Sequence, residues 1–155
     1  GGGTEKDQEL LSEFGRCLGI AFQIQDDLLD TYGDTKMFGK KTGGDIVSNK
    51  KTYLLVKALE LAGGENLRIL RHQIGLKKFD PEKKIGEVKA VFDNLDIRLH
   101  AENRAYEFIN RAFESLEAVS VQAERKNEIK QLTVSACHSF NKIKNHSQKP
   151  LRLCI

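Results

Sequence analysis

Apolar residues return at helical spacing along most of this chain, and no stretch alternates as a half-buried strand would. Leu10, Leu11, Phe14, Leu18, Ala21, Phe22, Leu28 and Leu29 share one side of a first helix that Thr4 can cap, with Asp7 at the acidic third position. That side is its expected packing face. Ser12, Gly15, Gly19, Gln23, Asp26, Asp27 and Asp30 fall on the other side, small at its start and acidic at its end. Gly15 and Gly19 each cost a helix about 0.8–1.0 kcal/mol against alanine, so close approach by another helix or by a ligand chain is implied there, helix packing being the expected reason. Gly33 and Asp34 end the helix. Gly39, Gly43 and Gly44 keep the next segment irregular until Ser48 or Asn49 caps a second helix. Tyr53 to Leu61 is apolar nearly all round and is expected to be buried, and Gly63-Gly64 stops it. Glu65 to Ile74 reads as a short helix. Asp80-Pro81 opens another that runs through Leu95, Asp96 caps a long one carrying Ala101 to Val119, and Glu124 to about His138 forms a last. The fold class is all-α, an antiparallel helical bundle over residues 1–137, with residues 138–155 expected to be a frayed or disordered basic tail.

The stretch FQIQDDLLDTYGDTKMFGKKTGGDIVSNKKT, from Phe22 to Thr52, carries the chemistry. On a helix, Asp26 and Asp30 stand one above the other, with Asp27 beside them and Gln23 one turn earlier. Carboxylates crowded this way repel unless a cation lies between them. An oxygen-only donor set suits magnesium, which keeps several waters and commonly also holds substrate phosphate. Lys40, Lys41, Lys50 and Lys51 then supply positive point charges of the kind a diphosphate needs.

Composition excludes several alternatives. A formal charge of +3 is too mild to imply nucleic acid. No apolar run approaches the roughly 20 residues of a membrane span, and GGGTEKDQE lacks the apolar core of a secretion signal, so a cytoplasmic location is expected. Cys17, Cys137 and Cys154 are odd in number and widely spaced, which fits reduced thiols rather than a disulfide framework or a zinc site.

Taken together, these residues resemble the C-terminal part of the trans-isoprenyl diphosphate synthases, the polyprenyl synthetase family. That family's second aspartate-rich motif reads Phe-Gln-x-x-Asp-Asp-x-x-Asp, then Gly-Asp, Gly-Lys, Gly-x-Asp-Ile or Leu, and Lys-x-Thr. Phe22, Gln23, Asp26, Asp27 and Asp30 match it here, followed by Gly33, Asp34, Gly39, Lys40, Gly43, Asp45, Ile46, Lys50 and Thr52. The similarity runs from about Thr4 to Glu128.

The resemblance implies the C-terminal portion of an isoprenoid synthase fold and Mg2+ dependence. Asp26 would be a direct magnesium ligand, Asp27 and Asp30 would hold the metal's waters, and Asp45 would contribute from the loop. Lys40 and Lys50 would bind the diphosphate, and Phe22 and Gln23 would line the reaction centre. The implied substrates are an allylic diphosphate and isopentenyl diphosphate, and the implied full-length assembly is a homodimer. The family's first Asp-Asp-x-x-Asp is not found here. Asp93 and Asp96, in DNLD, straddle a helix break and read as capping. With Gly1 rather than methionine at the start, the chain is expected to be a fragment truncated at its amino end, inactive alone and exposing apolar surface. A rival expectation is a non-catalytic helical subunit or interaction module that keeps the acidic motif idle. Arg98, Arg104 and Arg111, with Glu102 and Glu107, read as an ordinary charged outer face, and His72, His100, His138 and His146 form no ligand cluster.

Overall fold

The computed structural model describes residues 2–33 and 42–141. Among them the regular structure is entirely helical. Helix α1 spans Glu5–Tyr32, α2 Gly44–Val47, α3 Tyr53–Leu61, α4 Gly64–Gly75, α5 Pro81–Asn94, α6 Ile97–Ala118 and α7 Ala123–Asn141. Two compact units divide the chain, one ending at Val119 and the other beginning at Ser120. Helix α7 lies in the second.

Local chemistry sets most helix ends. Thr4 and Asp7 form a reciprocal capping box, in which Thr4 Oγ1 accepts from the Asp7 amide and Asp7 Oδ2 accepts from the Thr4 amide, both at 3.1 Å. Gly33 ends α1 without turning left-handed. Its amide donates to the Leu29 carbonyl at 2.9 Å, and a Cβ there would lie 2.5 Å from that oxygen. Asp80 caps α5 by accepting from the amides of Glu82 (2.8 Å) and Lys83 (3.3 Å), with Pro81 at the first helical position. Asp96 precedes α6 as expected, but with left-handed backbone (φ 50°) and no side-chain cap bond.

Helices α1 and α6 make the most extensive pairing in the first unit. Arg98, near the start of α6, lies over the Tyr32 ring at the end of α1, whereas Arg111, over three turns further on, pairs with Glu13 near its beginning. The two helices are therefore antiparallel. Ile97, Ala101, Ala105, Phe108, Ile109, Ala112 and Leu116 form the buried stripe of α6, much as its period predicts. Its alanines let the helices approach.

Several expectations are corrected. The buried line of α1 runs through Cys17, Ala21, Ile24, Asp27 and Thr31, rotated from the predicted face, and Leu11 is exposed. The glycines at 15 and 19 have nothing within 4 Å of a built Cβ, so no described element approaches them closely. Helix α3 buries only Leu54 and Ala58, leaving Val56 54% and Leu59 36% exposed. Thr52, not Ser48 or Asn49, caps α3 by accepting from the Leu55 amide at 3.2 Å, because the preceding residues close the one-turn helix α2 where irregular chain was expected. Arg98 and Arg104 do pair along α6 with Glu102 and Glu107, but Arg111 crosses to α1.

Candidate functional site

The acidic end of α1 meets the turn that follows α2. Asp27 is 3% exposed, and its carboxylate is fully engaged. Oδ1 accepts from Lys50 Nζ at 3.1 Å and from Gln23 Nε2 at 3.0 Å, while Oδ2 accepts from the Tyr53 amide at 3.4 Å. Lys50 also donates to Asp45 Oδ2 at 2.8 Å, so one ammonium bridges a carboxylate on α1 and one on α2. The Asp45 hydrogen bond, and after it the Asp27 contact, hold the Lys50 pKa above the usual lysine range. Lys50 is thus a fixed positive charge whose side chain remains about half exposed (46%).

Asp30 serves the backbone. Its Oδ2 accepts from the Asp45 amide at 2.9 Å, and its carbonyl accepts from the Gly43 amide at 2.6 Å. Gly43 must be glycine for two reasons. Its φ is +90°, and a Cβ would meet Ile85 Cδ1 at 2.6 Å. Asp26 is exposed on the helix surface, next to the buried Asp27. Phe22 is half-buried and Gln23 is exposed apart from its bond to Asp27. Lys40, Lys41 and Gly39 lie outside the described residues, as do Asp34 and Lys36.

Of the residues singled out in the sequence, Gln23, Asp27, Asp30, Asp45 and Lys50 are therefore tied together by hydrogen bonds, with Asp26 next to them. Among the described residues no three carboxylates, imidazoles or thiolates close into a cluster that would encage a metal unaided. A hard cation still fits the donor set, which is all oxygen and leaves Asp26 open. Magnesium commonly takes only one or two protein carboxylates and completes its shell with water and phosphate.

Two members of the assembly, Lys84 and Asn49, are not among the residues singled out for the site in the sequence. Lys84 of α5 is 1% exposed, and its Nζ donates to Asn49 Oδ1 at 2.7 Å and to the Val47 carbonyl at 3.3 Å, with the Phe79 ring centre 4.2 Å away. Asn49 has a left-handed backbone (φ 53°), and its Nδ2 donates to the Ile74 carbonyl of α4 at 3.1 Å.

Fold and site together define the class: the chain belongs to the polyprenyl synthetase family, whose model, described as Polyprenyl synthetase, matches residues 1–95. It is 34% identical over 126 residues to the short chain isoprenyl diphosphate synthase of Methanothermobacter thermautotrophicus, covering 81% of this chain and 38% of that protein. To farnesyl pyrophosphate synthase 1 of Cannabis sativa it is 42% identical over 113 residues, covering 71% of this chain and 32% of the relative. Among solved structures, the polyprenyl synthetase from Streptomyces coelicolor A3(2) superposes with a TM-score of 0.76 at 28% identity, covering 87% of this chain and 41% of that one. The chain therefore spans less than half the length of these relatives. Among the described residues no helix is long and apolar enough to cross a membrane.

Proposed function

We propose that this chain supplies the second aspartate-rich wall of a magnesium-dependent prenyltransferase that condenses isopentenyl diphosphate with an allylic diphosphate. The observation that carries the reading is the Asp27–Lys50–Asp45 bridge, which fixes a cation on the residue next to the exposed Asp26. Asp26 would hold the metal, with Asp45 contributing from α2, while Asp27 and Asp30 keep the lysine and the loop backbone in place. Bound there, magnesium would offset the charge that develops on a departing diphosphate. Lys50 acts on the same charge directly. Anchored by two acids and held protonated, it need not reorganise as the leaving group separates, and preorganised charge of this kind commonly contributes more to catalysis than any other effect. Lys40 is assigned to the same diphosphate from its place in the motif, and Phe22 and Gln23 to the reaction centre. The full-length protein is proposed to be a homodimer.

Within these 155 residues there is no second Asp-Asp-x-x-Asp. By themselves they are expected to bind a magnesium diphosphate and not to elongate a prenyl chain. Calorimetric titration with inorganic pyrophosphate in magnesium is expected to show binding that Asp26→Ala abolishes and Lys50→Ala weakens by about tenfold or more. Equal binding in both variants would sink the assignment, and a longer prenyl product from the isolated chain would overturn the expected inactivity.

A further inference from the structure

Between the two residues that define the bridge, Asp45 and Lys50, the chain makes a tight reversal held by short-range backbone bonds. The Lys50 amide donates to the Asp45 carbonyl at 2.9 Å and the Asn49 amide to the Ile46 carbonyl at 3.2 Å. These bonds fix the shape of the turn but not its seat on the bundle. Asp30 and Asp27 hold the turn to α1, and Asn49 ties it to α4 and α5. The two ends of that side-chain amide are used separately, Nδ2 on the Ile74 carbonyl of α4 and Oδ1 on the Lys84 ammonium of α5. Lys84 also takes the Val47 carbonyl, at the end of α2. An ammonium 1% exposed and bonded to two neutral oxygens, with no carboxylate accepting from it among the described residues, is a costly thing to bury. A methionine would fill the same space without burying a charge, at the loss of the donor to Asn49 Oδ1 and the Val47 carbonyl; the two effects oppose, so stability alone does not account for a lysine here.

We propose that Lys84 is a positioning residue for the candidate diphosphate site: acting through Asn49, it seats the Asp45–Lys50 turn and so sets where Lys50 presents its charge. The inference rests on the diphosphate reading for its purpose, but the seating can be measured without any ligand. Burial lowers the Lys84 pKa, in keeping with an ammonium held for its hydrogen bonds rather than for an ion pair.

The test uses the full chain with Lys84→Met, and with Asn49→Gly, which keeps the left-handed backbone and deletes both amide bonds. Amide hydrogen exchange in the absence of ligand is expected to quicken about tenfold or more at Asn49 and Lys50 in both variants, with α1 and α6 unchanged. The melting temperature of Lys84→Met is expected to change little, relief of the buried charge offsetting the two lost hydrogen bonds. Affinity for inorganic pyrophosphate in magnesium is expected to drop about tenfold in both variants, as when an outer-shell support is lost. Unchanged exchange in both variants would overturn the proposal. So would faster exchange with undiminished pyrophosphate affinity, or an affinity loss that merely tracks a fall in melting temperature. If the unsubstituted chain binds no pyrophosphate, the diphosphate reading fails, and the exchange result still decides whether Lys84 seats the turn.

Discussion

Replacing Asp26 and Asp27 in turn separates two tasks that adjacent, identical side chains perform. Asp26 is exposed and Asp27 is 3% exposed with three donors on its carboxylate. Asp26→Ala is expected to change unfolding free energy by less than about 0.5 kcal/mol, as surface substitutions do. Asp27→Ala takes the acceptor from the Tyr53 and Gln23 amides and leaves Lys50 on Asp45 alone, and is expected to cost about 2 kcal/mol. Urea unfolding of the two variants side by side checks the difference, and equal losses would mean that the burial of Asp27 is not what holds the turn. The sequence revealed which residues belong together here but not what each one does. Spacing along a helix places Asp26, Asp27 and Asp30 on a common side. Which of them faces inward depends on the turn after α2, and that turn reaches α1 through residues up to 26 positions away. Lys84 was illegible for the same reason, since its partners Val47 and Asn49 lie 37 and 35 positions earlier and no local pattern links them.

At the scale of the elements, helix starts were the most legible feature, because their chemistry is local. Thr4 with Asp7, and Asp80 with Pro81, name their helices within a single turn. Helix α2 was missed because a one-turn helix offers no period to detect. The buried face of α1 was misjudged because that helix carries apolar residues on more than one side, and neighbouring helices choose among them. Asp80 and Asp96 both precede helices, yet only Asp80 bonds to amides of the first turn. Asp80→Ala is expected to lower stability by about 1 kcal/mol, whereas Asp96→Gly, which relieves a left-handed backbone, is expected to cost less than about 0.5 kcal/mol. Thermal melts of the two variants check this. A larger loss at Asp96 would show that its carboxylate has a role beyond marking the helix start.

For the first unit as a whole, the antiparallel pairing of α1 with α6 is tied at one end by Glu13, which meets Arg16 at 2.7 Å and Arg111 at 2.9 Å. The Arg16 guanidinium, chiefly by its hydrogen bonds, lowers the Glu13 pKa from 4.5 to about 2. A carboxylate with a depressed pKa adds stability that is complete above its unfolded value and disappears as pH falls through the folded one. The melting temperature of the unsubstituted chain should therefore exceed that of Glu13→Gln at neutral pH. The gap should narrow as the pH drops below 4.5 and close near about 2. Because the group is open to solvent, added salt should shrink the gap. A gap that stays constant with pH would rule out the ion pairs as its source. One turn along α1 from Glu13, Cys17 has no exposed surface, its thiol donates to Glu13 Oε1 at 3.2 Å, and burial raises its pKa. Alkylating reagents can reach that sulfur only while α1 has lifted away from its neighbours. The rate at which a maleimide marks the Cys17 peptide would thus serve as a clock for excursions of the bundle, with no probe to be engineered.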